Sequence, residues 1–599
     1  MGLAAAGAAL LTEQPTTAQA WLNLAAADFL KVQTYLPADG ATPEGVSYGG
    51  VGLSDLLRAS DIFSVVMPSV NMLAPVGASS GVSAFWQNAA YFQIYHTTPT
   101  STWNVPSGYT YPFGYEPSTA TLFGFNDMNT WAWAGPNAMI RHLASINNNT
   151  DLQSFADLLD QYPAANGTSG GWIEMLWYDP NLASTNFALS PSLPLFKNFN
   201  IYGEAVSRSS WTDPLGSVVL YRSGSPMGSQ VPIYLYAGYS MNGSDGHVHP
   251  SAGSFAILGG GSELIRTSGY LGPKFAEYEN TLTFDCTSNQ SGCSANGQMG
   301  QLGQTATALN LPTARLSPAQ ICTLNPAKYW SELVALQTEY KTLYSVAEPI
   351  PATAPSPIAN TCSLPFVLET VGYLANFCSG ANYSLAPEIC QQIPQVQQIT
   401  QNANWSIPTS ETGGVDYVIE DATAAYDPIG IGMQNYSRQF IYLRNHNVLL
   451  SITDVSLSKS QTMNLYFHTS FVPTVTAPSS GLHVVNAGGN NAALSMYFFD
   501  NTATVTPISQ ATGGEVGTLQ AIKVTATGTS WENVAAFAWA PPVTVSGTTT
   551  KGNAATVSYH YNAATSTAPA QYQFTLTGGN LATPLVVTLV PSTQSVQIN

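Results

Sequence analysis

The chain has 599 residues, of which 8% are charged and 11% aromatic, and its formal net charge is −18 with 16 Lys and Arg. An aromatic share of that size excludes a disordered chain, and so few basic residues exclude nucleic-acid binding driven by counterion release. The length allows two or three domains with cores of their own, and few Lys and Glu beside many Thr, Val, Tyr and Asn predict a strand-rich protein.

Leu3 to Leu11 is a short apolar run, and Ala18-Gln19-Ala20 reads like a cleavage site. However, no Lys or Arg precedes the run, and Glu13 and Pro15 interrupt the approach. The expectation is therefore a natural chain that begins upstream rather than a signal peptide. From about Ala18 to Pro194 the apolar residues recur at helical spacing, as in Trp21, Leu22, Leu24, Ala25, Phe29 and Leu30. Ser54-Asp55 and Thr150-Asp151 read as helix starts. Helices joined by aromatic, Gly/Pro-rich loops such as 103–115 suggest a helical toroid with a sugar-sized cleft. From Ile201 the period becomes two, with strands expected at Val218–Tyr221, Pro232–Tyr236, Ser254–Leu258, Tyr417–Ile419, Phe440–Leu443 and Val448–Ile452. The expected class is α+β and multidomain. Residues 1–195 would form an incomplete α/α toroid, 196–540 a large antiparallel β-sandwich with an insertion at about 287–406, and 541–599 a small β module.

The six cysteines are Cys286, Cys293, Cys322, Cys362, Cys378 and Cys390. They are even in number, clustered and free of any CxxC pair, which favours structural disulfides over zinc or thioredoxin-like chemistry. Neighbours in sequence are expected to pair: Cys286–Cys293, Cys378–Cys390 and Cys322–Cys362. Sequons at Asn148, Asn166, Asn242, Asn289, Asn382, Asn404 and Asn435 agree with export. No run reaches the eighteen or so apolar residues of a membrane span.

Five short segments carry a resemblance in chain order. They are Asp39-Gly40-Ala41-Thr42-Pro43-Glu44-Gly45-Val46-Ser47-Tyr48, then Phe125-Asn126-Asp127, then Ser207-Arg208-Ser209-Ser210-Trp211. His247-Val248-His249-Pro250-Ser251-Ala252-Gly253-Ser254-Phe255 follows, and last Asn280-Thr281-Leu282-Thr283 with Tyr426 and Arg438-Gln439-Phe440. Together they resemble the heparinase II/III-like polysaccharide lyases. The resemblance implies a secreted or periplasmic lyase that cleaves a uronate-containing polysaccharide, such as a glycosaminoglycan or alginate, by β-elimination, with an acidic polysaccharide as partner. It further implies Tyr48 as the base and His247 as a group holding the uronate carboxylate.

Elementary chemistry explains the need for both. A uronate α-proton is removable only if donors neutralise the carboxylate as enolate charge develops, and a phenol near pKa ~10 acts as base only among cations or donors. His247 and His249, at i and i+2 of a strand, face one side. Glu44, Arg208, Trp103, Tyr109, Trp131 and Trp133 are the candidate substrate-binding residues. Arg208 offers a fork for a carboxylate, although a pair with Asp213 is the favoured reading.

The chain also departs from the family. No His precedes Asp39 to supply the acid/base group of an upstream helix. Where relatives bind a structural metal, His249 stands alone with Glu279, the Asp position is Thr267, and Ser251 and Gly253 replace an Asp and an Asn. One His and one Glu make a poor zinc site, so no metal and no cofactor are expected. Two other readings stay open: a non-catalytic carbohydrate-binding or surface protein of the same fold, and a toroid-type glycoside hydrolase using two of Asp39, Glu44 and Asp127.

Overall fold

A computed structural model of the chain describes residues 1–33, 36–42, 44–99, 122–127, 137–160, 171–184, 193–213, 215–223, 247, 249–270, 274–287, 293–301, 405–406, 414–426, 431–476, 482–488, 492–512, 517–545 and 548–599. Helices come first: α1 (Gly2–Leu10), α2 (Pro15–Gln33), α3 (Gly45–Val66), α4 (Ala84–His96), α5 (Asn137–Asn147), α6 (Thr150–Leu159) and α7 (Gly171–Trp177). Leu22, Ala26 and Phe29 of α2 point inward at helical spacing and meet Leu57 and Phe63 of α3, Trp86 of α4 and Ile140 and Leu143 of α5 in one core. Asn149 starts α6, its side chain accepting from the N–H groups of Asp151 (3.0 Å) and Leu152 (3.2 Å). Ser54 does not start a helix. It lies inside α3, where its hydroxyl bonds back to the carbonyl of Gly50 at 3.0 Å, which lets a capping-type residue sit mid-helix.

Among the described residues, helices give way to antiparallel strands from Phe196 onward. The first five, β1 (Phe196–Phe199), β2 (Glu204–Arg208), β3 (Val218–Arg222), β4 (Ser254–Gly259) and β5 (Ser262–Ile265), form a meander in sequence order. Both of its faces are buried. Val206, Val218, Leu220, Ala256 and Leu258 pack with Phe92 and Tyr95 of α4 and with Phe123 and Phe125. Ala205, Val219, Tyr221, Phe255 and Ile257, the alternate residues, face an eleven-stranded antiparallel sheet. That larger sheet is built on two long strands, Val448–Thr469 and Thr518–Ala540, paired along their length with an irregularity between Ser456 and Gln461. Its outer face, including Val448, Leu450, Ile452, Val534, Ala536 and Ala538, is covered by Val557, Phe574, Leu576 and Leu589 of a four-stranded C-terminal sheet (Ala555–Asn562, Gln571–Gly578, Leu585–Val590, Ser595–Ile598). Helices, meander, large sheet and C-terminal sheet are thus stacked layers.

Cys286 and Cys293 form a disulfide. Cys322, Cys362, Cys378 and Cys390, and the strand expected at Pro232–Tyr236, lie outside the described residues. No helix among those described is long and apolar enough to cross a membrane.

Candidate functional site

The first turn of α3 carries Tyr48, and its neighbours fix where that turn lies. Gly45 opens the helix at φ +80°, a conformation that favours glycine. Thr42 Oγ1 donates to the Gly45 carbonyl at 2.5 Å, and Gln93 of α4 donates to that of Val46 at 3.0 Å. Thr42 also packs against the helix at Gly49, where a Cβ would overlap its side chain. Glycines at 45 and 49 therefore let the turn approach its supports closely.

Opposite stands a bridge between the helical layer and the sheets. The Asp127 N–H donates to the His247 carbonyl at 3.0 Å, and the His249 N–H donates to Asn126 Oδ1 at 3.1 Å. Asn126 holds this turn with φ 70° and donates from Nδ2 to the Tyr202 hydroxyl at 2.6 Å. The result is that the His247 ring lies flat on the Tyr48 ring, with centroids 3.5 Å apart and planes 8° from parallel. Tyr270 flanks Tyr48 at 6.1 Å.

Asp127 is the electrostatic centre. It is 2% exposed and accepts from Lys274 Nζ with both oxygens at 2.7 Å, from His249 Nε2 at 2.7 Å and from His247 Nδ1 at 3.1 Å. Burial alone would raise its pKa, but the bonds from His247 and His249 and the charges of His249 and Lys274 outweigh burial and hold the carboxyl well below its usual range. His249 is fully enclosed, and its Nδ1 meets Glu279 Oε1 at 2.8 Å and Ser268 Oγ at 2.9 Å. Burial and Lys274 depress its pKa, yet its bonds to Asp127 and Glu279 prevail and raise it, because only an imidazolium donates from both ring nitrogens. Burial pulls Lys274 down, with Asp127 acting against that shift. Glu44 sits beside His247, and burial pushes its carboxyl up while the His247 charge opposes the rise.

These bonds bear on two expectations. A structural metal does not fit here: both nitrogens of His249 are spent on carboxylates, and an ammonium covers both oxygens of Asp127. The residue facing His249 is Ser268, not Thr267, and the Ser268 hydroxyl also donates to Glu279. Among the described residues no group of three or more His, Cys, Asp and Glu forms a metal cage. Of the three carboxylates weighed for a hydrolytic pair, two are already engaged. Asp39 is spent on the N–H groups of Ile201 (2.7 Å), Tyr202 (3.1 Å) and Ala41 (3.2 Å), and Asp127 is spent on three cationic or imidazole groups.

Arg208 serves elsewhere. It is 2% exposed, its Nη1 donates to the carbonyls of Tyr95 (2.9 Å) and Thr97 (2.7 Å), and its guanidinium lies 4.3 Å from the Trp211 ring centroid. It satisfies the carbonyls left open where α4 ends, so it is neither a substrate fork nor the partner of Asp213, which accepts from the Leu215 N–H instead. Trp103, Tyr109, Trp131 and Trp133 lie outside the described residues. Sequence reasoning missed Lys274, Tyr270 and Ser268. Lys274 had one available signal, since it is among few basic residues and precedes the Asn280-Thr281-Leu282 segment.

No family model matches this sequence, and no curated protein matches it. Among solved structures, a heparinase III matches at 11% identity with a TM-score of 0.48, over 98% of this chain and 64% of that one. Heparan sulfate lyase HepC from Pedobacter heparinus matches at 10% identity with a TM-score of 0.43, and a mutant of it at 10% with 0.45, each over 98% of this chain and 64% of that one. The chain thus spans 64% of the length of these structures, and what its site can do rests on its own side chains.

Proposed function

We propose that the protein is a secreted polysaccharide lyase that cleaves a uronate-containing chain by β-elimination, its helices being part of an α/α toroid. The observation that carries this reading is the stack of Tyr48 on His247. It joins the phenol and the imidazole that the resemblance pairs, although they are far apart in sequence. Asp127 accepts from Nδ1 of His247, so Nε2 is turned away from the carboxylate and toward whatever shares the Tyr48 surface. A protonated Nε2 donates to the uronate carboxylate and offsets the charge that builds there as the α-proton leaves. Tyr48, as phenolate, takes that proton. The C–O bond to the leaving sugar breaks as the C=C bond forms, and the phenol returns the proton to the leaving oxygen. Asp127, with Lys274 and His249 behind it, orients the imidazole.

The test is ultraviolet absorbance of the unsaturated product on incubation with alginate, heparan sulfate and other uronate polymers. Tyr48→Phe is expected to lower the rate at least a hundredfold with an unchanged melting temperature, a loss within the usual range for a general base. Activity retained in that variant overturns the assignment. Binding of the polymers without product, in the parent chain, leaves the carbohydrate-binding reading in its place.

A further inference from the structure

At one end of the interface between the large sheet and the C-terminal sheet, two layers that are apolar further in present polar groups to each other. Asp454 and Glu532 are directly opposite on the two long strands, two residues beyond the opposed pair Ile452 and Val534, whose side chains lie in the core beneath the C-terminal sheet. Side-chain alternation puts both carboxylates on that same face. Like charges directly opposite in an antiparallel pair are destabilising, and no Lys or Arg forms an ion pair with either among the described residues. Burial, then the neighbouring Glu532, pushes the Asp454 carboxyl up to about 6.

The C-terminal sheet faces this pair with tyrosines. Tyr572 donates to Glu532 Oε2 at 2.5 Å. Its ring lies 5.1 Å from that of Tyr561 and 6.3 Å from that of Tyr559, and Tyr559 packs on Phe499 at 5.3 Å. Tyr559 and Tyr561 continue the inward face begun by Val557, but here the cover ends and Tyr561 is 44% exposed. Flat aromatic faces next to a carboxylate pair that no Lys or Arg neutralises among the described residues match a ring-shaped ligand that carries positive charge, because the π faces and the carboxylates attract the same cation. The same charge repels a polyuronate.

We propose that this tyrosine and carboxylate patch is a second saccharide-binding site, selective for amino sugars with a free ammonium group. The ammonium sits between Asp454 and Glu532, and the sugar ring lies on Tyr561. The site is independent of the elimination chemistry at Tyr48.

Calorimetric titration of the full chain with glucosamine oligosaccharides, with their N-acetylated counterparts and with uncharged glucose oligosaccharides tests it. The deacetylated oligomers are expected to bind at least tenfold more tightly than the other two. Glu532→Gln and Tyr561→Ala, both exposed positions, are each expected to weaken that binding about tenfold, and Glu532→Gln to raise the melting temperature by removing the like-charge pair. Tyr48→Phe is expected to bind as the parent does, so failure of the lyase reading leaves this one intact. Absence of binding, equal binding of the acetylated oligomers, affinity unchanged in both Glu532→Gln and Tyr561→Ala, or affinity lost in Tyr48→Phe overturns the proposal.

Discussion

Lys274 brings an ammonium onto Asp127, and both groups are almost wholly out of water, at 6% and 2% exposure. Two effects compete at such a pair. Desolvation opposes bringing the charges inside, while two bonds of 2.7 Å and two imidazole partners hold them once there. Breaking a buried pair from one side leaves the other charge stranded, which costs about 3–5 kcal/mol. Lys274→Met is therefore expected to destabilise the chain by that amount in denaturant unfolding. Adding Asp127→Asn to Lys274→Met should cost less than the sum of the single changes, since the stranded charge is then gone. A single-variant cost below about 1 kcal/mol would mean that the two histidines alone satisfy Asp127. Activity should also fall in Lys274→Met, because the carboxylate that orients His247 Nδ1 is then free to turn.

The opening turn of α3 yields a prediction of sign. Gly→Ala inside a helix normally stabilises by up to about 1 kcal/mol. At Gly49 the new Cβ overlaps the Thr42 side chain, so Gly49→Ala is expected instead to cost about 1–3 kcal/mol and to displace Tyr48 from His247. Thr42→Gly in the same chain should recover part of the loss, and a stabilising Gly49→Ala in thermal melts would refute the packing argument. This turn also marks how far the sequence is legible. The Gly45 to Tyr48 segment and the His247/His249 pair stand out because a glycine-led turn and two histidines two residues apart leave a local trace, although His247 and His249 themselves lie outside the strands, β4 beginning at Ser254. What those residues meet is not legible locally, even where the partner segment, Phe125-Asn126-Asp127, stands out for its resemblance. Asp127 joins the site through its N–H on the His247 carbonyl, and Asn126 through its side-chain oxygen on the His249 N–H, across a long stretch of chain. Arg208 reads as a partner of Asp213, or else as a fork for a carboxylate, until α4 is seen to end against it. Ser54 reads as a cap because its hydroxyl serves a capped start and a helix interior equally well.

For the whole molecule, the buried carboxyls and the net charge of −18 decide where on the pH scale folding is most favourable. An acid whose folded pKa lies above its unfolded value binds its proton more tightly in the fold, so its contribution is lost as pH rises from about 4 through the folded value. Burial raises Asp39, Glu277 and Glu420 in this way, and burial with Glu532 brings Asp454 to about 6. His249, raised by its two carboxylate partners, adds stability that is complete below about 6.5 and is lost as pH climbs through its folded value. Two groups work in the opposite direction. Asp127, held below its usual range, gives stability present above about 4 and lost on further acidification. His468, whose pKa burial lowers to about 4, resists protonation in the fold and so loses stability as pH falls from about 6.5. Self-repulsion of an acidic chain grows with pH and sides with the larger group. Melting temperature followed by calorimetry from pH 3 to 9 is therefore expected to peak between about 4 and 6.5. It should decline on the alkaline side less steeply in His249→Gln, which removes the imidazolium that the carboxylates favour. A peak at neutral pH or above would mean that the raised carboxyls carry little of the fold's free energy, and that the stability of the Asp127 cluster is set by packing instead of by protons.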